Sequence, residues 1–283
     1  MSYEQLRREA LNYYPCHYAG SKQVFRGPKK HLVSPYLAFI GSSEIYGKFV
    51  PDPFPSLIEQ RAGINAVNFG ALNAGIDVFL NDHAIMEAAS GATVKVLQVM
   101  GAHNMSNRYY RVHPRRNDRF LRASKALKAI YSDVDFTEFS FTKHMLTTLK
   151  ACSAERFELV RDELRAAWLA RMRTLCTQLG DGVVLLWVSD VLPVSAADED
   201  QDSEFDHIPL FVNSDMLQAL DGVVDGVLTV LPSKRARKEG TAGMIFPEVE
   251  RAVAEQMLGV QAHQEIAMKL CEKIRDVLVA KRS

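Results

Sequence analysis

The chain is short of the features that most readily assign a function. Four cysteines stand among 283 residues, Cys16, Cys152, Cys176 and Cys271, with no CxxC spacing between any two. That excludes a zinc knuckle or a thioredoxin-type redox pair and points to reduced thiols in a cytoplasmic setting. The 34 basic residues are balanced by 34 acidic ones, so no overall field draws the chain to nucleic acid or to an anionic membrane. No apolar run reaches the length of about 18 residues needed to span a bilayer. The N-terminal MSYEQLRREALNYY reads as a short amphipathic helix rather than a signal sequence. The eight histidines form neither HxH nor HExxH, and the acidic run lacks the glycine and spacing of a calcium loop, so no metal and no cofactor is expected. A Walker A loop is missing as well. Gly41, Gly47 and Lys48 fall close to its spacing, but Phe49 stands where the magnesium-binding Ser or Thr belongs.

What is present is a series of short, continuous apolar runs, each followed by Gly, Ser or Pro: Leu37 to Ile40, Ile64 to Phe69, Val94 to Met100, Val183 to Val188, and Val227 to Leu231. Continuous rather than alternating runs are the mark of parallel strands covered on both faces. Helical segments such as Pro55 to Ala62 and Asp77 to Ala89 lie between them, and Gln261 to Ala280 reads as a closing amphipathic helix. Alternation of this kind predicts a doubly wound α/β sheet. The interval from Gly101 to Asp181 is too long for one crossover. Within it, Ser153 precedes apolar residues at Phe157, Val160, Leu164, Trp168, Met172, Leu175 and Leu179, which predicts a long helix closed by Gly180. The preceding part, about 104–150, is expected to form one or two further helices that cover the C-terminal edge of the sheet as a lid. Two charged segments, 196–206 with six acidic residues and 233–240 with four basic ones, read as solvated loops.

In open α/β sheets ligands bind beyond the C-terminal strand ends, so the residues there carry the chemistry. They are Gly41-Ser42-Ser43-Glu44, then Asn68 to Gly75, then Gly101-Ala102-His103-Asn104, all small, polar and glycine-rich. Ser43 has two readings. It is a helix N-cap, or, with a histidine in reach, a nucleophile. His263 in GVQAHQEIA is the histidine at the start of the last helix. A further candidate is NRYYRVHPRRNDRF, whose Arg108, Arg111, Arg115 and Arg116 suit a phosphate, sulfate or carboxylate group, or else pair with the acidic segment at 196–206.

AFIGSSEIYG resembles the first block of the SGNH, or GDSL-type, hydrolases; VNFGALNAGID resembles the second, VMGAHN the third, and AHQEIA the end of the last. The resemblance implies a divergent SGNH-like serine esterase or acyltransferase: Ser43 as nucleophile, Gly70 or Gly75 as backbone oxyanion donor, Asn104 as side-chain donor and His263 as base. Ser42, Asn73, His103 and the four arginines would then contact a small-molecule or glycan ester, with no nucleic acid and no membrane span, and a homo-oligomer left open. The fold implied is one flavodoxin-like, three-layer, doubly wound domain over 1–283, with a five-stranded parallel sheet and a helical insertion after the third strand. The sequence departs from the family pattern in three places. Ser42 replaces the usual Asp, one extra residue separates Gly101 from Asn104, and Val260 stands where the acid three residues before the histidine belongs. A non-catalytic module of the same layout, binding an anionic sugar or nucleotide, is the alternative. The whole chain also resembles a family of bacterial proteins of unassigned function that share a GSSE-like turn, NAGID and NMSNR.

Overall fold

The computed structural model describes residues 10–200 and 202–281. Most of the expected N-terminal helix, residues 1–9, lies outside these, and 11–15 carry no regular structure. Seven strands lie among the described residues: β1 (Tyr36–Gly41), β2 (Asn65–Gly70), β3 (Val94–Gln98), β4 (Tyr110–His113), β5 (Arg116–Ala123), β6 (Val183–Val188) and β7 (Val227–Val230). The helices up to the fourth strand's hairpin are α1 (Ser43–Tyr46), α2 (Phe54–Ala62), α3 (Ile76–Leu80) and α4 (His83–Ser90); α5 (Lys125–Ile130), α6 (Thr142–Cys152) and α7 (Ala154–Leu179) come next. The remainder are α8 (Ser214–Gln218), α9 (Lys234–Glu239), α10 (Arg251–Ala254) and α11 (Val260–Ala280).

Five strands form one parallel sheet in the order β2-β1-β3-β6-β7, the flavodoxin-like arrangement, with helices on both faces. Period-two alternation splits each strand between two cores. In β1, Ala38 and Ile40 face the core beneath α7, whereas Leu37 and Phe39 face the core beneath α2 and α11. The same alternation divides β6, with Trp187 on the α7 side and Leu186 on the α11 side. Phe157, Val160, Leu164, Trp168, Met172, Leu175 and Leu179 of α7 are all buried, as their spacing predicts, and the N-cap Ser153 accepts from the Arg156 N–H. Trp168 on α7 donates from Nε1 to the Met100 carbonyl at 2.7 Å, tying the long helix to the turn after β3.

Several local expectations change. The helix expected over Asp77 to Ala89 is two, because Asp82 turns the chain and caps α4 by accepting from the Ile85 N–H. The 104–150 insertion opens with an antiparallel hairpin, β4–β5, before α5 and α6. The basic segment at 233–240 is helical rather than a loop: Ser233 caps α9 through the Ala236 N–H and Arg235 pairs with Glu239 one turn on. The acidic segment is exposed at Asp198, Asp200, Asp202 and Asp206, as expected of a solvated loop, but is tied down at two points. Glu204 pairs with Lys150 and Arg161, and Glu199 with Arg165, so its partners are α6 and α7 and not the arginines at 108–116.

Candidate functional site

The loops after β1, β2 and β3 converge at the point where the strand order reverses, between β1 and β3, and there they line a cleft of about 200 Å³. Ser42, Ser43, Asn73, His103 and Asn104 all line it. Gly70, Gly75, Arg108, Arg111, Arg115, Arg116 and His263 do not.

Ser43 is presented by its strand. β1 is buried along its whole length and ends at Gly41, where an added Cβ would lie 2.5 Å from the Gln98 side chain. Only glycine lets the turn pass this close to β3. The N-cap of α1 is Ser42, so the capping reading of Ser43 does not hold, and Ser42 itself makes no side-chain cap. The Ser43 hydroxyl instead bonds to one residue twice, accepting from the Asn73 N–H at 3.1 Å and donating to Asn73 Oδ1 at 3.3 Å. Asn73 is held in the left-handed region (φ 54°), which Asn tolerates better than most residues, and its Nδ2 donates to Asp118 Oδ2 on β5.

The expected oxyanion donors divide. The Gly75 N–H is given to Asn117 Oδ1 at 3.1 Å and the Gly70 N–H to Asn68 Oδ1 at 2.8 Å, so both backbone donors are committed to protein acceptors. Gly75 is glycine for room: a Cβ there would fall 1.6 Å from the Asn104 carbonyl oxygen. Asn104 keeps a free donor. Its Oδ1 accepts from the Thr142 hydroxyl at 2.7 Å, which fixes the amide and leaves the NH2 without a protein partner among the described residues.

His263 is elsewhere. It is the fourth residue of α11, 1% exposed, and stacks on Phe54 at 5.3 Å. Its Nδ1 accepts from the Phe54 N–H at 3.1 Å. Phe54 opens α2, where the N-cap position is Pro53, which has no side chain able to cap; the imidazole does this work from another helix. Burial pushes its pKa down to about 3, so the ring is neutral at pH 7. No hydrogen bond joins it to Ser43 among the described residues. The segment before α11 brings Gln256 and Met257 to the cleft in place of a histidine. His103 is in the cleft, but its ring lies against Gly101, its Nδ1 is buried without a partner, and burial together with the Lys143 charge pushes its pKa down to about 3.

Two polar cleft residues, Gln98 and Gln256, escaped the sequence reading. Gln98, buried at the end of β3, accepts from the Ser42 N–H at 2.7 Å and donates to Glu44 Oε2 at 2.7 Å. A glutamine closing a strand whose other residues, Lys95 apart, are apolar was the available signal. Glu44 and Gln256 complete the polar lining. A second hollow of about 230 Å³ continues from Glu44 past Asp190, Glu255 and Arg237. The arginines lie outside this space: Arg108 pairs with Glu163 and Tyr109, and Arg111, Arg115 and Arg116 are exposed on the hairpin.

The fold is an α/β domain with a cleft at the C-terminal edge of its parallel sheet, at the switch point between β1 and β3. The chain belongs to the DUF6473 family, a domain of unknown function whose model matches residues 1–278. No curated protein matches it. Among the described residues no helix is long and apolar enough to cross a membrane, and no group of His, Cys, Asp and Glu is placed to hold a metal ion.

Proposed function

We propose that this protein binds a neutral, hydroxyl-rich small molecule such as a sugar in the β1–β3 cleft, and that it does so as a non-catalytic module of SGNH-like layout rather than as a serine esterase or acyltransferase. The observation that carries this reading is the separation of the two expected partners. His263 caps α2 from inside the core while Ser43 is bound at both its donor and its acceptor by Asn73. A serine without a base is a weak nucleophile. The cleft's polar groups support the rest. Ser42, Asn73, Asn104, Gln98 and Gln256 are hydroxyls and amides able to donate and accept, and the charged group among them, Glu44, is a carboxylate that disfavours an anionic ligand. Val99, Met100, Ile208 and Met257 supply the apolar surface that a sugar ring also needs.

The test is saturation-transfer NMR with glucose, galactose and N-acetylglucosamine, followed by titration of whichever binds. Loss of the free Asn104 amide in Asn104→Ala should weaken binding about tenfold, whereas Ser43→Ala should change it by less than about threefold. Ser43-dependent hydrolysis of p-nitrophenyl acetate would overturn the reading in favour of the esterase.

A further inference from the structure

The β4–β5 hairpin turns one face inward and leaves the other in solvent. Tyr110, Val112 and Phe120 are buried, and the fully buried Asn117 pins the hairpin by accepting from the Gly75 and Val78 N–H groups and donating to the His113 carbonyl. Arg111, Arg115, Arg116 and Arg122 are exposed. In register Arg111 stands opposite Arg122 and His113 opposite Arg116. Residues opposite one another in an antiparallel pair share a face, so Arg111 and Arg122 stand on one face of the hairpin, a like-charge pairing that a bound anion would relieve.

No carboxylate among the described residues is ion-paired to Arg111, Arg115, Arg116 or Arg122. Asp77, whose charge Arg111 feels, is buried and paired with Arg171 at 3.0 Å. The acidic segment at 196–206 commits Glu199 and Glu204 to Arg165, Arg161 and Lys150. A chain with zero net charge thus keeps a cationic face, on a pinned hairpin, whose four arginines make no ion pair among the described residues.

We infer that this face is a docking surface for a linear acidic polysaccharide, whose carboxylate or sulfate groups the arginine forks would grip in pairs. Single-stranded nucleic acid fits it less well, because such binding uses exposed aromatic faces for base stacking and Tyr109 and Tyr110 are buried. The surface lies outside the cleft, and the inference is independent of the ligand bound there.

The full chain is tested on immobilised heparin and on immobilised polygalacturonate across a salt series, which separates sulfate from carboxylate recognition. Binding to at least one of them is expected, weakening as salt rises. Arg111→Ala/Arg122→Ala should bind about tenfold more weakly, with a melting temperature no lower than that of the parent because a repulsion has been removed, whereas Lys238→Ala on α9 should bind as the parent does. If the double variant does not fold, Arg116→Glu at the turn end of β5 gives the same comparison. The inference is overturned by absence of binding to either polysaccharide, by unchanged affinity in the hairpin variants, or by tighter binding to oligo-dT or to phosphatidylserine vesicles than to the polysaccharides.

Discussion

Replacing His263 by Gln separates a buried structural imidazole from a catalytic one. Gln keeps an acceptor for the Phe54 N–H but does not titrate. In the folded protein the His263 pKa is pushed down to about 3 by burial, while in the unfolded chain it is about 6.5. The unfolded state therefore binds the proton more readily. The stability this group contributes is complete above about pH 6.5 and is lost as pH falls from there toward 3. Between pH 7 and pH 5 the loss spans about 1.5 pH units of the window, or about 2 kcal/mol at 1.36 kcal/mol per unit. For a chain of 283 residues this is about 3–4 °C in melting temperature. Urea unfolding of parent and His263→Gln at both pH values isolates the term, because every carboxylate and His103 titrate in both proteins and cancel. The parent should lose about 2 kcal/mol more than the variant on going to pH 5. Equal losses would mean that His263 is solvated and able to take a proton in the folded state, and the assignment to helix capping would be wrong.

Two further substitutions probe what holds the cleft and the acidic segment. Gly75→Ala places a methyl on the Asn104 carbonyl oxygen and should destabilise by about 2–4 kcal/mol in chemical denaturation, with ligand binding lost together with stability. Arg161→Ala removes a guanidinium shared by Glu158 and Glu204 and leaves Glu204 buried with Lys150 alone; a loss of about 3 kcal/mol is expected, and a variant as stable as the parent would show that the acidic segment is held by its apolar contacts instead.

The sheet could be read in the sequence because parallel strands covered on both faces leave continuous apolar runs. α7 could be read because Phe157 to Leu179 repeat at three and four residues and Ser153 and Gly180 bracket them. The β4–β5 hairpin could not. Its inward residues Tyr110, Val112 and Phe120 are interrupted by register shifts on either side of Val112, and arginines mask the alternation. At the site, chain order brought Ser42, Ser43, Asn73, His103 and Asn104 to one place because each directly follows a strand of the same sheet. Order said nothing about where His263 points. It lies one turn inside α11, on the side that packs against α2, and only the geometry of that helix pair separates it from the cleft. The commitment of the Gly75 N–H was equally hidden, since its acceptor Asn117 comes from a strand the sequence did not reveal.

The central claim, that Ser43 has no base and does no acyl chemistry, is tested most directly by incubating the native protein with a fluorophosphonate probe and mapping any modified residue by mass spectrometry. The structure predicts no adduct on Ser43 at probe concentrations that saturate a serine esterase, because its hydroxyl is engaged by Asn73 and no imidazole is bonded to it. Stoichiometric labelling at Ser43, abolished in Ser43→Ala, would contradict the claim and restore the esterase reading.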